Sequence, residues 1–205
     1  MIGWKKVLFY TIFFIVLLIG FWWLLFRDND NWRSKLPVIG YVQNFSAINQ
    51  NGDTITEKLI IGKVHVANYF FVNCKGICPN MNSHLKEVFE AYKNNPDLIF
   101  ISYTCHPEED SVAALKNYQQ HIGADGRQWQ FATGNKLMLY KMAREGYHID
   151  DPNNNVGKIE DQFLHSQFLS LVDRNGRVRG IYDGLKEREI NKLKADINDL
   201  LKEKN

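Results

Sequence analysis

The sequence predicts an α/β domain, a mixed sheet flanked by helices, carried behind an N-terminal transmembrane helix. Three observations lead there. Val7 to Phe26 is a run of 20 residues without a charge. At about 1.5 Å per residue it spans the roughly 30 Å hydrocarbon core of a bilayer. Downstream, apolar β-branched segments alternate with segments of helical periodicity, which suggests strands joined by crossover helices and hence a parallel core. Towards the end, two apolar runs flank an Asp173-Arg-Asn-Gly176 turn, which adds an antiparallel hairpin and makes the sheet mixed.

Taken in order, the apolar run comes first. Lys5 and Lys6 carry its only neighbouring charges before Arg27, so the whole-chain net charge of +2 belongs to them and the remainder is neutral. The run is too long for a cleaved signal sequence, and Gly20 is followed by Phe21, Trp22 and Trp23 rather than by a small-residue cleavage site. It reads as an uncleaved signal anchor. Arg27, Arg33 and Lys35 lie on its other flank, so the positive-inside rule gives no orientation. The sequence therefore divides into an N-terminus at 1–6, an anchor at 7–26, a polar tether at 27–40 and a globular domain at 41–205. A neutral domain lacks the basic face that a nucleic-acid partner needs. Three cysteines in 205 residues are too few for a disulfide scaffold.

Within the domain, Phe45 to Asn49 and Thr54 to Thr56 flank Asn51-Gly52, a hairpin signal. Val64 to Val72 (VHVANYFFV) is a buried strand. Asn80 to Tyr92 places Met81, Leu85, Val88 and Phe89 at helical spacing, and Asn94-Asn95-Pro96 stops it. Leu98 to Tyr103 is a second buried strand. Asp110 caps a helix from Ser111 to His121, with Gly123 past its end. Trp129 to Ala132 is a short strand and Lys136 to Arg144 a helix closed by Gly146. Phe168 to Val172 and Val178 to Tyr182 form the late hairpin, and Lys186 to Lys202 the last helix. Ligands of such sheets bind beyond the carboxyl ends of the strands, which points to the loop after Val72.

That loop reads Asn73-Cys74-Lys75-Gly76-Ile77-Cys78-Pro79. The first thiol leaves a strand and the second enters a helix, where Pro79 suits the first turn. Four-residue separation brings both sulfurs to one side if the turn is helical. The helix N-terminus favours thiolate, so two thiols of lowered pKa are expected. Such a pair binds a soft metal ion or cycles between dithiol and disulfide; the plainer alternative is an inert disulfide or two packed thiols. Thiolate and imidazole with few other donors select monovalent copper. Zinc would require four ligands. Of the six histidines, His165 precedes a strand whose end could reach the cysteines, and His106 follows Cys105 at the end of the second buried strand. His65, His84, His121 and His148 read as core or surface residues, and Cys105 as a small apolar one.

These residues resemble those of the Sco/SenC family of membrane-anchored copper proteins. The resemblance runs from about Tyr41 to Leu200. It rests on Cys74-Lys-Gly-Ile-Cys78-Pro79 after Asn68-Tyr-Phe-Phe-Val, and on Ile101-Ser-Tyr-Thr-Cys-His-Pro107-Glu108. Trp129-Gln-Phe-Ala-Thr-Gly134 and His165-Ser166 ahead of Phe168-Leu-Ser-Leu-Val-Asp173 complete it. The resemblance implies a thioredoxin-like fold and copper, Cu(I) with Cu(II) as a second state, bound by Cys74, Cys78 and His165. It implies delivery of copper to the dinuclear centre of cytochrome c oxidase subunit II, or reduction of that centre's thiols. The expected place is the inner (cytoplasmic) membrane, crossed once by residues 7–26, with the C-terminal domain extracytoplasmic. One departure stands out: many members have Asp where this chain has His106. A role around the metal or in transfer is expected for His106, and packing for Cys105.

A metallochaperone is thus the main expectation. The alternative is an extracytoplasmic thiol–disulfide oxidoreductase in which Cys74 attacks, Cys78 resolves and no metal is needed. Spacing favours the first, since dedicated redox sites of this kind use CxxC. A peroxidase reading is weaker because a Thr-x-x-Cys context is missing.

Overall fold

The structure, a computed structural model, describes residues 3–26, 36–154, 157–164 and 166–203, with the side chains of 24–26 not described. The chain separates into two units at residue 35. The first holds helix α1 (Trp4–Phe26, 23 residues). Its side chains from Gly3 to Trp23 are exposed, and by length and composition it could cross a membrane.

The second unit is built on an eight-stranded sheet. At its centre are β4 (Val64–Phe70) and β5 (Leu98–Thr104), in which every residue is buried. Burial on both faces explains why their sequences lack the alternation of a one-sided strand. They pair in parallel from Val64 opposite Leu98 to Phe70 opposite Thr104. Strand β6 (Trp129–Thr133) extends the parallel set. The hairpin β2 (Ser46–Asn49) and β3 (Thr54–Thr56) continues antiparallel beyond β6. On the other side, β7 (Phe168–Val172) runs antiparallel to β4, followed by β8 (Arg177–Asp183) and the edge strand β1 (Gly40–Tyr41). The order is β1-β8-β7-β4-β5-β6-β2-β3.

Each face has its own core. On one, Val64, Val66 and Phe70 meet Met81, Leu85, Val88 and Phe89 of α2 (Cys78–Ala91) and Ile190, Leu193 and Ile197 of α5 (Glu187–Lys202). Helix α3 (Val112–Ile122) covers β6 on this face through Leu115. On the other, Ala67, Tyr69, Ile101 and Tyr103 meet Leu139 and Tyr140 of α4 (Lys136–Lys141). A fully buried side chain of this size contributes about 1.5–3 kcal/mol, so both faces are needed to fix the sheet.

Several boundaries differ from expectation. Strand β4 stops at Phe70, because the Val72 amide turns away to donate to Asp110 Oδ2 at 3.1 Å. Asp110 is therefore not the cap of α3; Ser111 Oγ takes that place, accepting from the Ala114 amide at 3.2 Å. Helix α2 begins at Cys78, earlier than the apolar spacing alone indicated, with Pro79 in its first turn. The helix expected to run to Arg144 gives way at Met142 to a π turn, closed by Tyr147 N–H on the Met142 carbonyl at 2.7 Å. Strand β1 lies where a polar tether was read. Gly40 allows it, since a Cβ there would stand 2.0 Å from His148 Nε2. The rest of that tether before Leu36 lies outside the described residues.

Candidate functional site

The loop between β4 and α2 carries Cys74 and Cys78 beyond the end of the parallel strands. The Cys74 amide donates to the Phe71 carbonyl at 3.2 Å, and Met81 N–H to Ile77 at 3.0 Å opens the helix. Both cysteines are free thiols, Cys74 half-buried and Cys78 buried. Burial, and then a hydrogen bond with Cys74, push the Cys78 thiol up to about 12, although the Phe71 backbone pulls the other way. Two thiols of lowered pKa were expected from the helix N-terminus. For Cys78 that is corrected, because desolvation outweighs the dipole once the sulfur is packed beneath the loop.

A groove of about 740 Å³ opens over the pair. Its wall includes Phe71, Asn82, Lys86, Asp110, Tyr118 and His121 beside the two cysteines. Asp110 closes one end: its Oδ2 accepts from Thr104 Oγ1 at 2.6 Å as well as from Val72, so one carboxylate ties the end of β5 to the start of the thiol loop. Burial raises its pKa, partly offset by the Thr104 and Val72 bonds.

Cys105 and His106 follow β5 directly. Cys105 is buried on the opposite face of the sheet from Cys78, and its thiol is pushed far up, first by burial and then by charge on Cys78. The His106 ring lies against Phe71 and Phe163, with centroids 6.5 and 5.7 Å away. Its Nδ1 has no hydrogen-bond partner among the described residues; Glu109 Oε2 stands 3.9 Å off.

His165 lies outside the described residues. Its neighbours are held firmly. Phe163 packs edge-on to Phe71 at 5.4 Å, three residues before Cys74. The Tyr140 hydroxyl donates to the Cys105 carbonyl at 2.8 Å and accepts from the Leu164 amide at 3.1 Å. Ser166 Oγ donates to Ile149 at 2.6 Å. The chain on both sides of residue 165 is thus anchored to the turns that follow β5 and α4. Among the other histidines, His65 is wholly buried in β4, and His84 Nδ1 meets the Gly184 carbonyl at 2.8 Å.

Among the described residues no three His, Cys, Asp or Glu side chains converge as a metal site. The two sulfurs are soft donors that line one groove, which suits an ion that accepts few, soft ligands. Reading the sequence alone missed Tyr118, Asn82 and Tyr140. None belongs to a local motif, and each enters through contacts many residues away.

The SCO1/SenC family model matches residues 37–202. The chain is 27% identical over 167 residues to a SCO1 protein homolog of Bacillus subtilis, covering 80% of this chain and 84% of that one. A solved structure of BsSco, described as a member of the Sco family of cytochrome c oxidase assembly proteins with a disulfide switch, superposes with a TM-score of 0.70 at 25% identity, covering 83% of this chain and all of that one. The copper-bound ScoI of Bradyrhizobium japonicum shares the fold, with a TM-score of 0.62 at 22% identity over 78% of this chain and 99% of that one. The thioredoxin-like mixed sheet is the one these proteins have. With the family model covering the whole sheet and the thiol loop, the chain belongs to the SCO1/SenC family.

Proposed function

We propose that Cys74 and Cys78, completed by His165, take up copper as cargo, monovalent copper in the first instance. The recipient is the copper centre of cytochrome c oxidase subunit II, supplied outside the cytoplasm from a domain tethered to the membrane. The observation that carries this is the pair of free thiols lining one groove beyond the parallel strands. The family is one of cytochrome c oxidase assembly proteins, and relatives are described with copper bound. Uptake requires both sulfurs as thiolates and the imidazole neutral, so binding releases protons.

A second reading is favoured by the same pair of free thiols and by the disulfide switch described for BsSco. In it, Cys74 attacks a partner's disulfide and Cys78 resolves the mixed disulfide, keeping the recipient's thiols reduced. The readings are compatible, since a disulfide holds no copper until it is reduced.

Metal analysis of the reduced protein is the first test. About one copper per chain is expected, lost in Cys74→Ala and in Cys78→Ala. His165→Ala should retain weak binding but lose the fall in affinity through the histidine range near ~6.5. Identical pH curves for wild type and His165→Ala would remove His165 from the ligand set. His106→Asp and Cys105→Val should both keep stoichiometric copper, with only the first changing affinity.

A further inference from the structure

The segment that leads to His165 has little regular structure to hold it. Between the π turn at Met142–Gly146 and β7, its described residues form only two short 3-10 turns, Pro152–Asn154 and Ile159–Asp161. Irregular stretches of this length are uncommon in compact domains unless they carry function. One guanidinium draws this one together. Arg144, in the π turn, is buried with its carboxylate partner Asp150, their side chains 6% and 7% exposed. Its Nε donates to Asp150 Oδ2 at 2.8 Å, its Nη1 to Gln162 Oε1 at 2.8 Å and its Nη2 to the Asn154 carbonyl at 3.4 Å. Asn154 Nδ2 closes the set on Asp150 Oδ1 at 2.7 Å.

These contacts reach the chain on both flanks of residue 165. Asp150 follows Ile149, whose carbonyl accepts from Ser166 Oγ at 2.6 Å. Gln162 stands two residues before Leu164, whose amide donates to the Tyr140 hydroxyl at 3.1 Å. The Arg144 guanidinium lies over that same Tyr140 ring, 5.4 Å from its centroid. The backbone here is unusual in two ways. A π turn is rare and often marks a functional site. His148 has φ +54°, in the left-handed region that residues other than glycine seldom adopt. The Ile149 amide, donating to the Ala143 carbonyl at 3.0 Å, holds that bend. A buried ion pair gains little stability over apolar packing of the same volume, so stability alone does not account for Arg144 and Asp150. We propose that Arg144 is a positioning residue, which braces the chain on either side of His165 and so sets the contribution of the imidazole to copper binding. The inference rests on the reading above in which His165 completes the ligand set.

The test is a double-mutant cycle. Affinity for monovalent copper is measured on the reduced full chain in detergent, by competition with bicinchoninate. The variants are Arg144→Met and Gln162→Met, each alone and each combined with His165→Ala. Alone, each is expected to weaken binding about tenfold, the lower end of the range for groups that orient a metal ligand. With His165→Ala in place, either change should leave affinity within about twofold, because no imidazole remains to be positioned. An equal loss in both backgrounds would mean that Arg144 acts on the fold around the thiols, and would overturn the inference. Affinity within about twofold of wild type in the single variants would overturn it as well. Arg144→Met leaves Asp150 buried without its cation. Should that chain fail to fold, Gln162→Met decides by the same comparison, since it keeps the ion pair. A His165→Ala chain that binds copper as tightly as wild type removes His165 from the ligand set, which overturns the reading itself and the inference with it.

Discussion

His65 stands in the middle of β4 with no exposed surface, and neither ring nitrogen has a hydrogen-bond partner among the described residues. Its ring meets Tyr147 edge-on at 5.8 Å. Burial lowers its pKa to about 3, against a smaller opposing pull from Asp173. The folded protein thus holds a neutral imidazole where the unfolded chain binds a proton below about 6.5. Between those values stability falls as the pH falls, by up to about 1.4 kcal/mol per pH unit. His65→Leu should remove that slope. At pH 7 it should also raise stability by about 1 kcal/mol, the recovered cost of unpaired nitrogens less the lost ring contact. Urea unfolding of both proteins at pH 7 and pH 5.5 measures it, and parallel losses between the two pH values would refute the assignment. The sequence placed His65 inside a strand. A buried strand implied its desolvation, but not that both ring nitrogens would lack partners among the described residues, since any partner would come from a distant segment.

Between elements, the Tyr140 hydroxyl is the main tie across the site. It joins the Cys105 carbonyl after β5 to the Gln162 carbonyl and the Leu164 amide, tying together two segments far apart in the chain. Tyr140→Phe keeps the ring but leaves buried backbone groups unpaired, so a loss of about 1–3 kcal/mol is expected. Hydrogen exchange at Leu164 should accelerate while Val66 in β4 stays protected. Equal protection at Leu164 would mean that other contacts hold that segment. Such ties also explain where the sequence was legible. The parallel strands, the thiol loop and the late hairpin were readable because their signals are local: buried apolar runs, Cys74 and Cys78 at four-residue spacing, Asn175-Gly176. Asp110 was misassigned because an acidic residue before a helix has one local use, as a cap, whereas here its partners are Val72 and Thr104. The hydrogen bonds that run from Trp129 through Ser102, Asn68 and Asn82 to Tyr118 span five elements and have no linear signature at all.

For the whole molecule, the question is what residues 36–205 do without the segment that precedes them. The start of this unit is bound into the sheet rather than trailing from it. Ile39 N–H donates to Val178 at 2.8 Å, and Arg179 reaches the Leu36 carbonyl at 2.6 Å through Nη2. The same Arg179 pairs with Asp173 at 2.8 Å and Glu203 at 3.1 Å, so one buried guanidinium joins the beginning of the unit, the β7–β8 turn and the end of α5. A fragment beginning at Leu36 should therefore be soluble and melt with the same midpoint as the domain in the full chain. One beginning at Phe45 loses β1 and leaves Arg179 short of an acceptor, which should lower the midpoint by several degrees. The full chain, with α1 apolar and its described side chains exposed over its length, should fractionate with membranes and require detergent. Charge does not orient it, since basic residues flank both ends of α1. The proposed function does: a dithiol that alternated between reduced and oxidised forms and handed copper to an extracytoplasmic centre would belong outside the cytoplasm. A reporter that is active only after export, fused behind Asn205, should therefore be active in cells, and the same reporter fused behind residue 6 should not. Activity in the reverse pattern would place the thiols in the cytoplasm and leave the proposed recipient out of their reach.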